Sequence, residues 1–169
     1  MYLKSLELLQ FKNHEKTRMD FSKQINCFTG LNGSGKTNIL DGIHYLSLTK
    51  SAVQSSDTLN VQHDKDFFAI KGQFELDQKP LEVRCTFELG KKKQIWQNGK
   101  ALDKTSDHVG LIPLVLIAPD DTELIKGGSE GRRKFFDGLL SQLDRNYLNQ
   151  LIRYHHFLKQ RNALLKKFA

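Results

Sequence analysis

The residues with the clearest chemical potential lie between Gly30 and Thr37 and read Gly-Leu-Asn-Gly-Ser-Gly-Lys-Thr. Their spacing fits G-x-x-x-x-G-K-[ST], in which glycines let successive backbone N–H groups curve around an anion. Lys36 would reach the β- and γ-phosphates of a nucleotide, and the Thr37 hydroxyl would ligate Mg²⁺. The sequence therefore predicts a phosphate-binding loop formed by Gly30, Leu31, Asn32, Gly33, Ser34, Gly35, Lys36 and Thr37.

Elements on both sides of this loop are predicted to hold it in place. The short apolar segment Gln24–Thr29 predicts a buried strand directly before the loop, with Cys27 as a small buried residue. Apolar residues at spacings of three and four predict a helix from Thr37 to Leu48, whose positive N-terminal end would face the anion. Residues 2–11 and 17–21 predict two further strands around a polar turn.

Residues 67–102 predict an antiparallel block of strands. Apolar residues alternate without a break from Leu81 to Leu89, which is the period of a half-buried strand. Asn98-Gly99 is a strong hairpin signal, because both residues tolerate positive φ. The apolar run Leu111–Ala118 predicts one more strand, placed by Pro113 at an edge or a bulge.

From residue 119 onward the apolar period becomes helical. Gly127-Gly128 would end a short helix, and Ser129 and Asp144 would cap two longer ones. The last helix reaches Ala169 without a glycine or proline, so we expect the sequence to be cut inside an element.

The positive charge is concentrated in these helices. Lys126 to Ala169 holds ten Lys or Arg and three Asp or Glu, which accounts for the whole net charge of +7. Such a segment is the electrostatic footprint of a polyanion, usually a nucleic acid. A solvated helical surface that happens to be basic is the alternative.

The sequence gives no support for several classes of protein. Cys27 and Cys85 are the two cysteines, too few for a disulfide framework and without metal-ligand spacing. No apolar run reaches the roughly 20 residues of a membrane span, and no signal peptide is recognisable, which predicts a cytoplasmic protein with no membrane partner. The N-K-x-D motif of GTPases is missing, although residues 107–110 fit the short pattern D-x-x-G.

The sequence of the loop resembles that of the ATPase heads of the SMC and ABC superfamily. It reads G-x-N-G-S-G-K-T-N and continues with Ile39-Leu-Asp-Gly-Ile43. Phe11-Lys12-Asn13-His14 is similar to a step, F-[KR]-[NS], that lies beside the nucleotide phosphates in SMC-like heads. The resemblance implies that Lys12 and Asn13 join the ATP and Mg²⁺ site. For Lys12, an ordinary surface lysine is the alternative.

Three further stretches resemble the RecF family. They are Pro113 to Asp120 with the following Leu124 to Gly128, Arg132-Arg-Lys-Phe-Phe-Asp137, and Gln142 to Tyr147 with Lys159-Gln-Arg-Asn-Ala-Leu-Leu165. The resemblance implies a protein of recombinational repair at single-strand gaps. It would bind ATP, dimerise on it when full length, bind DNA as duplex or as single-strand/double-strand junctions, and work with RecO and RecR.

The same resemblance gives the expected fold. This is an α/β P-loop NTPase of the ABC/SMC-head type, with a β-rich N-terminal lobe and the P-loop helix in residues 1–118 and the truncated start of a helical domain in residues 119–169. In the family, the signature motif, the Walker B aspartate with its catalytic glutamate and the switch histidine lie in the C-terminal half, and this chain has none of them. Lys36 is then its one catalytic candidate, and ATPase activity is an expectation for full-length family members, whereas this chain alone would be inactive.

The candidate DNA contacts are basic residues of the predicted helices, namely Arg132, Arg133, Arg153, Lys159 and Arg161. Ion pairing on the helix surface, for example with Asp137, is the alternative for the first two. A rival function is a non-hydrolysing DNA-binding or loader-interaction module in which the nucleotide is a structural ligand. A small P-loop kinase or transferase is a third alternative, but no acceptor-site lid or catalytic constellation supports it.

Overall fold

The computed structural model describes residues 1–168, apart from the side chains of Asp120 and Glu123. The chain divides into two compact units, Met1–His108 and Val109–Ala169. The domain boundary predicted from sequence lies between residues 118 and 119, where the spacing of apolar residues becomes helical. This position lies inside the second unit.

The first unit is built on one six-stranded sheet. Its strands are β1 (Tyr2–Phe11), β2 (His14–Asp20), β3 (Phe67–Leu76), β4 (Lys79–Glu88), β5 (Gln94–Gln97) and β6 (Lys100–Ala101). They are antiparallel in the order β2-β1-β3-β4-β5-β6. Asn98 and Gly99 have φ values of 46° and 78° in the turn between β5 and β6, as the hairpin signal predicts.

One face of this sheet packs against helix α1 (Lys36–Leu48). Side chains of a strand alternate between faces, so Leu8, Ile70 and Val83 of neighbouring strands meet in one buried layer. Two glycines bring helix and sheet close together. A Cβ on Gly42 would lie 2.8 Å from Leu8 Cδ2, and a Cβ on Gly72 would lie 2.6 Å from Leu46 Cδ1.

Polar groups are also buried at this interface. The ring of His108 is fully buried, with Nε2 donating to the Leu46 carbonyl oxygen at 2.5 Å and Nδ1 accepting from Gln97 Nε2 at 3.0 Å. His44 is buried on α1, and its Nδ1 donates to the Lys50 carbonyl oxygen at 2.9 Å. Burial lowers the pKa of both histidines, because the charged ring loses its hydration.

Two predicted strands are absent among the described residues. Gln24–Thr29 and Leu111–Ala118 have no regular secondary structure, and Cys27 is exposed, not buried as predicted. A strand exists through its hydrogen bonds to a neighbouring strand, and in the described part of the chain neither segment has one. Their apolar side chains are accordingly uncovered, since Ile25 is 84% and Ile117 83% exposed.

The second unit is helical, with α2 (Glu123–Lys126), α3 (Ser129–Leu143) and α4 (Arg145–Leu165). Asp144 caps α4 as predicted, because its Oδ1 accepts from Asn146 N at 2.7 Å. The prediction for Ser129 is wrong, since Gly128 occupies the N-cap position of α3 and Ser129 is the first helical residue. Among the described residues, no helix is both long and apolar enough to cross a bilayer.

Candidate nucleotide site

The loop from Gly30 to Thr37 links the irregular segment before it to the start of α1. Gly33 and Gly35 have φ values of 81° and 95°, a backbone conformation that residues other than glycine rarely adopt. Gly35 is the N-cap of α1 in the left-handed conformation, so the helix begins directly at Lys36. The free N–H groups of the first helical turn and the glycine-rich loop together form an environment suited to an anion.

The Lys36 side chain lies along this loop. Its ammonium group donates to the Gly30 carbonyl oxygen at 2.9 Å and to the Leu31 carbonyl oxygen at 2.7 Å. The loop is mostly open to solvent, because Gly30 to Ser34 are exposed and so is Thr37. A positive group is therefore held at the centre of an exposed loop whose backbone conformation suits phosphate, and the Thr37 hydroxyl is accessible at the second position of α1.

The turn between β1 and β2 packs against the back of the loop. Asn13 Nδ2 donates to the Gly33 carbonyl oxygen at 3.4 Å, and Asn13 Oδ1 accepts from Asn38 Nδ2 at 2.8 Å. His14 is buried, and its Nε2 lies 3.1 Å from the Gly35 carbonyl oxygen. Asn13, predicted for the site, thus contacts the loop, whereas the sequence reasoning missed His14. The pattern carried a weak signal, because His14 directly follows the Phe-Lys-Asn step.

Lys12 is held away from solvent. Its side chain is 7% exposed, and its ammonium nitrogen lies 2.6 Å from Oδ2 of Asp41, which is 1% exposed. Asp41 also accepts from Ser51 Oγ at 2.7 Å and from Ala52 N at 2.6 Å. Lys12 is therefore not an ordinary surface lysine, and a phosphate contact would require this buried ion pair to open.

A cleft of about 470 Å³ adjoins the loop within the first unit. Lys36 and Ser34 line it from the loop, and His14, Thr17 and Met19 line it from β2. Backbone conformation, a positive side chain and open space therefore meet at one place, and the described residues fit the phosphates of a nucleotide. When bound, Mg²⁺ would supply charge neutralisation of those phosphates beside Thr37.

The five predicted DNA contacts all lie in the second unit and are exposed: Arg132, Arg133, Arg153, Lys159 and Arg161. Arg132 donates to the carbonyl oxygens of Leu124 and Gly127 at 3.3 and 2.9 Å, which closes the end of α2. Arg133 donates to Ser129 Oγ at 2.8 Å. Asp137, the expected ionic partner, instead accepts from the Tyr147 hydroxyl at 2.5 Å.

Comparison with known proteins agrees with this geometry. The family model described as AAA domain (AAA_23) matches residues 5–168. The DNA replication and repair protein RecF of Phocaeicola vulgatus is 50% identical over 98% of this chain and 45% of its own length. A solved structure of the recombination mediator protein RecF with ATP superposes with a TM-score of 0.93 at 34% identity, over 98% of this chain and 45% of that one. A solved SMC ATPase gives a TM-score of 0.66 at 23% identity, over 82% and 99% of the two chains, and so shares the fold.

The fold is thus that of a P-loop ATPase head of the ABC/SMC type, and the chain belongs to the AAA domain family. Within that class, the predicted membership of the RecF family is confirmed. The chain spans about 45% of the length of the RecF relatives that it matches.

Proposed function

We propose that this chain binds the phosphates of ATP, with Mg²⁺ beside Thr37, as part of a RecF-like protein of DNA replication and repair. One observation carries the proposal, namely the exposed loop in which glycines with positive φ lead into α1 and Lys36, the first residue of that helix, reaches back along the loop. The RecF relative solved with ATP supports it, since it shares this fold and 34% of its sequence.

The test is Mg-dependent ATP binding, measured by calorimetry on the wild-type chain and on Lys36→Ala. A charge-assisted hydrogen bond to phosphate contributes about 1.5–3 kcal/mol, so we expect the variant to bind at least tenfold more weakly. Lys50→Ala is a matched control, because Lys50 is an exposed lysine just beyond the C-terminal end of α1. Equal affinity of Lys36→Ala and wild type, with both folded by circular dichroism, would remove the proposal.

DNA is proposed as the macromolecular partner, through Arg153 and Arg161 of α4. Support comes from the concentration of positive charge in residues 126–169 and from the exposure of these side chains. Contacts with phosphates by such residues position a protein without reading base sequence. Action at single-strand gaps, ATP-dependent dimerisation, cooperation with RecO and RecR, and a cytoplasmic location belong to the same proposal and rest on the family resemblance.

A second function, docking of another protein, is favoured by one specific observation. Large apolar side chains are uncovered on α3 and α4, including Phe135, Phe136, Tyr154 and Phe157, each 45–59% exposed. Exposed apolar side chains of this size suit contact with further protein. Salt-dependent DNA binding separates the two functions, because apolar docking would depend only weakly on salt.

A further inference from the structure

We propose that His14 is a positioning residue for the phosphate-binding loop, fixing the start of α1 so that the loop is shaped for phosphate before nucleotide arrives. The inference rests on the proposed nucleotide function. It concerns a residue that the sequence patterns do not assign to the site.

The hydrogen bonds of His14 define its orientation. A carbonyl oxygen accepts only, so Nε2 must carry the hydrogen that reaches the Gly35 carbonyl oxygen at 3.1 Å. On the other side of the ring, Nδ1 lies 3.0 Å from Thr17 Oγ1 in β2. His14 is 8% exposed, and its ring connects β2, to which it belongs, with the loop.

The contacted carbonyl lies at a decisive point of the loop. The Gly35 carbonyl oxygen also accepts from Ile39 N at 3.1 Å, the hydrogen bond that opens α1. Because the peptide group is planar and trans, a fixed Gly35 carbonyl directs the Lys36 N–H to the opposite side. His14 thus adds a second anchor, from outside the helix, to the peptide that begins the anion-binding turn.

Close packing makes this anchor specific to one backbone conformation. A Cβ on Gly35 would lie 2.6 Å from His14 Nε2 and 2.7 Å from Asn13 Nδ2. The back of the loop is therefore closed by the β1–β2 turn, whereas Gly33 has no atom within 4 Å of its Cβ position. A loop held on one side and open on the other retains its shape while leaving its N–H groups accessible.

The experiment compares ATP, ADP and AMP binding by calorimetry in wild type, His14→Ala and His14→Gln. AMP lacks the β-phosphate that the loop would hold. We expect His14→Ala to bind ATP and ADP about fivefold to tenfold more weakly, as for a lost buried hydrogen bond, with AMP unchanged. His14→Gln keeps an N–H donor and should recover most of the affinity. His63→Ala is the matched control, since the His63 side chain is 93% exposed.

A second measurement needs no nucleotide. Amide hydrogen exchange at Ile39, whose N–H bonds to the Gly35 carbonyl oxygen, should rise severalfold in the free chain of His14→Ala, less in Thr17→Val, which removes the partner of Nδ1 alone, and not in His63→Ala. Unchanged exchange at Ile39, or equal losses for AMP and ATP, would overturn the positioning role. Wild type that fails to bind ATP would instead overturn the proposed function, and the exchange data would still decide the role of His14.

Discussion

At the scale of single residues, the buried histidines link folding to pH. Burial lowers the pKa of His44 and of His108, whereas in the unfolded chain both return to about 6.5. Folding therefore favours the neutral rings, and their contribution to stability is fully present above pH about 6.5. It is lost as the pH falls from there through the lowered pKa values of the folded chain.

We therefore expect the free energy of unfolding, measured by urea denaturation, to be flat between pH about 7 and about 8 and to fall progressively below about 6.5. Protonation of carboxylates also lowers the free energy of unfolding, at lower pH. A histidine variant is therefore needed to isolate the contribution of the histidines. His108→Gln should lose part of the slope between pH about 6.5 and 5, while the exposed His63→Gln should keep all of it. An unchanged slope in His108→Gln would contradict this assignment.

The sequence identifies the candidate phosphate-binding loop, whose binding role stays a prediction, but not the residues that support that loop. The chemistry from Gly30 to Thr37 is local, since spacing along the chain also sets spacing in space. The contact between His14 and Gly35 joins positions 21 residues apart and depends on how the β1–β2 turn folds back. The ion pair of Lys12 with Asp41 is equally non-local, which explains why the sequence left a surface lysine open as an alternative.

At the scale of elements, the approach of α1 to the sheet can be tested with two glycines. Gly42 and Gly138 both lie inside helices, where alanine is favoured over glycine by about 1 kcal/mol. Apart from the backbone of its own helix, Gly138 has nothing within 4 Å of its Cβ position, so Gly138→Ala should stabilise α3 by about that amount. Gly42 faces buried Leu8, so Gly42→Ala should instead cost about 1–3 kcal/mol through overpacking.

Thermal and urea denaturation, followed by circular dichroism for each variant, would measure this difference. Both substitutions add one methyl group to a helix and so change helix propensity equally. Opposite signs of the change in the free energy of unfolding would therefore report a difference in packing. Equal stabilisation by both would show that Leu8 moves aside without cost and that the helix is not held closely to the sheet.

The spacing of apolar residues correctly predicted those strands and helices whose backbone hydrogen bonds are made within the element or with another predicted strand. Strands β1, β3 and β4 pair with one another, and α1 closes its own hydrogen bonds, so local pattern and final structure agree. The predictions at Gln24–Thr29 and Leu111–Ala118 failed because an apolar pattern identifies a segment suited to a strand but does not supply a partner. In the second segment, backbone N–H and carbonyl of Leu114 bond to the side-chain amide of Gln142 instead.

At the scale of the whole molecule, the basic second unit should govern DNA binding. Residues of a helix advance by about 100° each, so Arg153 and Arg161 lie about 80° apart around α4, with Lys159 on another side. One duplex can then meet both arginines. Arg153→Gln with Arg161→Gln should weaken binding and reduce the slope of log affinity against log salt by about two units, roughly one per phosphate contact.

Fluorescence anisotropy with labelled duplexes at several salt concentrations would measure that slope. Lys91→Gln, in the first unit and paired with Glu88, is the control and should change little. Affinity should also vary little with base sequence. A slope that survives the double substitution would make α4 a solvated face or a protein-docking surface.

Hydrolysis depends on more than the loop. Phosphoryl transfer needs a positioned water and stabilised charge, and the family resemblance implies that these come from motifs not found in residues 1–169. We expect residues 1–169 to turn over ATP at the background rate in a phosphate-release assay, and a chain extended to the length of the RecF relatives to be faster. Robust turnover by this chain, abolished by Lys36→Ala, would show that the class of ATPase is misassigned.

The two hydrogen bonds from Lys36 to the carbonyl oxygens of Gly30 and Leu31 have an energetic consequence. These two carbonyl oxygens compete with a phosphate for the Lys36 ammonium group. Apparent nucleotide affinity is then the intrinsic affinity multiplied by the fraction of molecules in which Lys36 is released. The same fraction applies to every ligand that Lys36 contacts, so the resting loop lowers the affinity for ADP and ATP by one common factor, whereas a ligand that binds without Lys36 escapes this reduction.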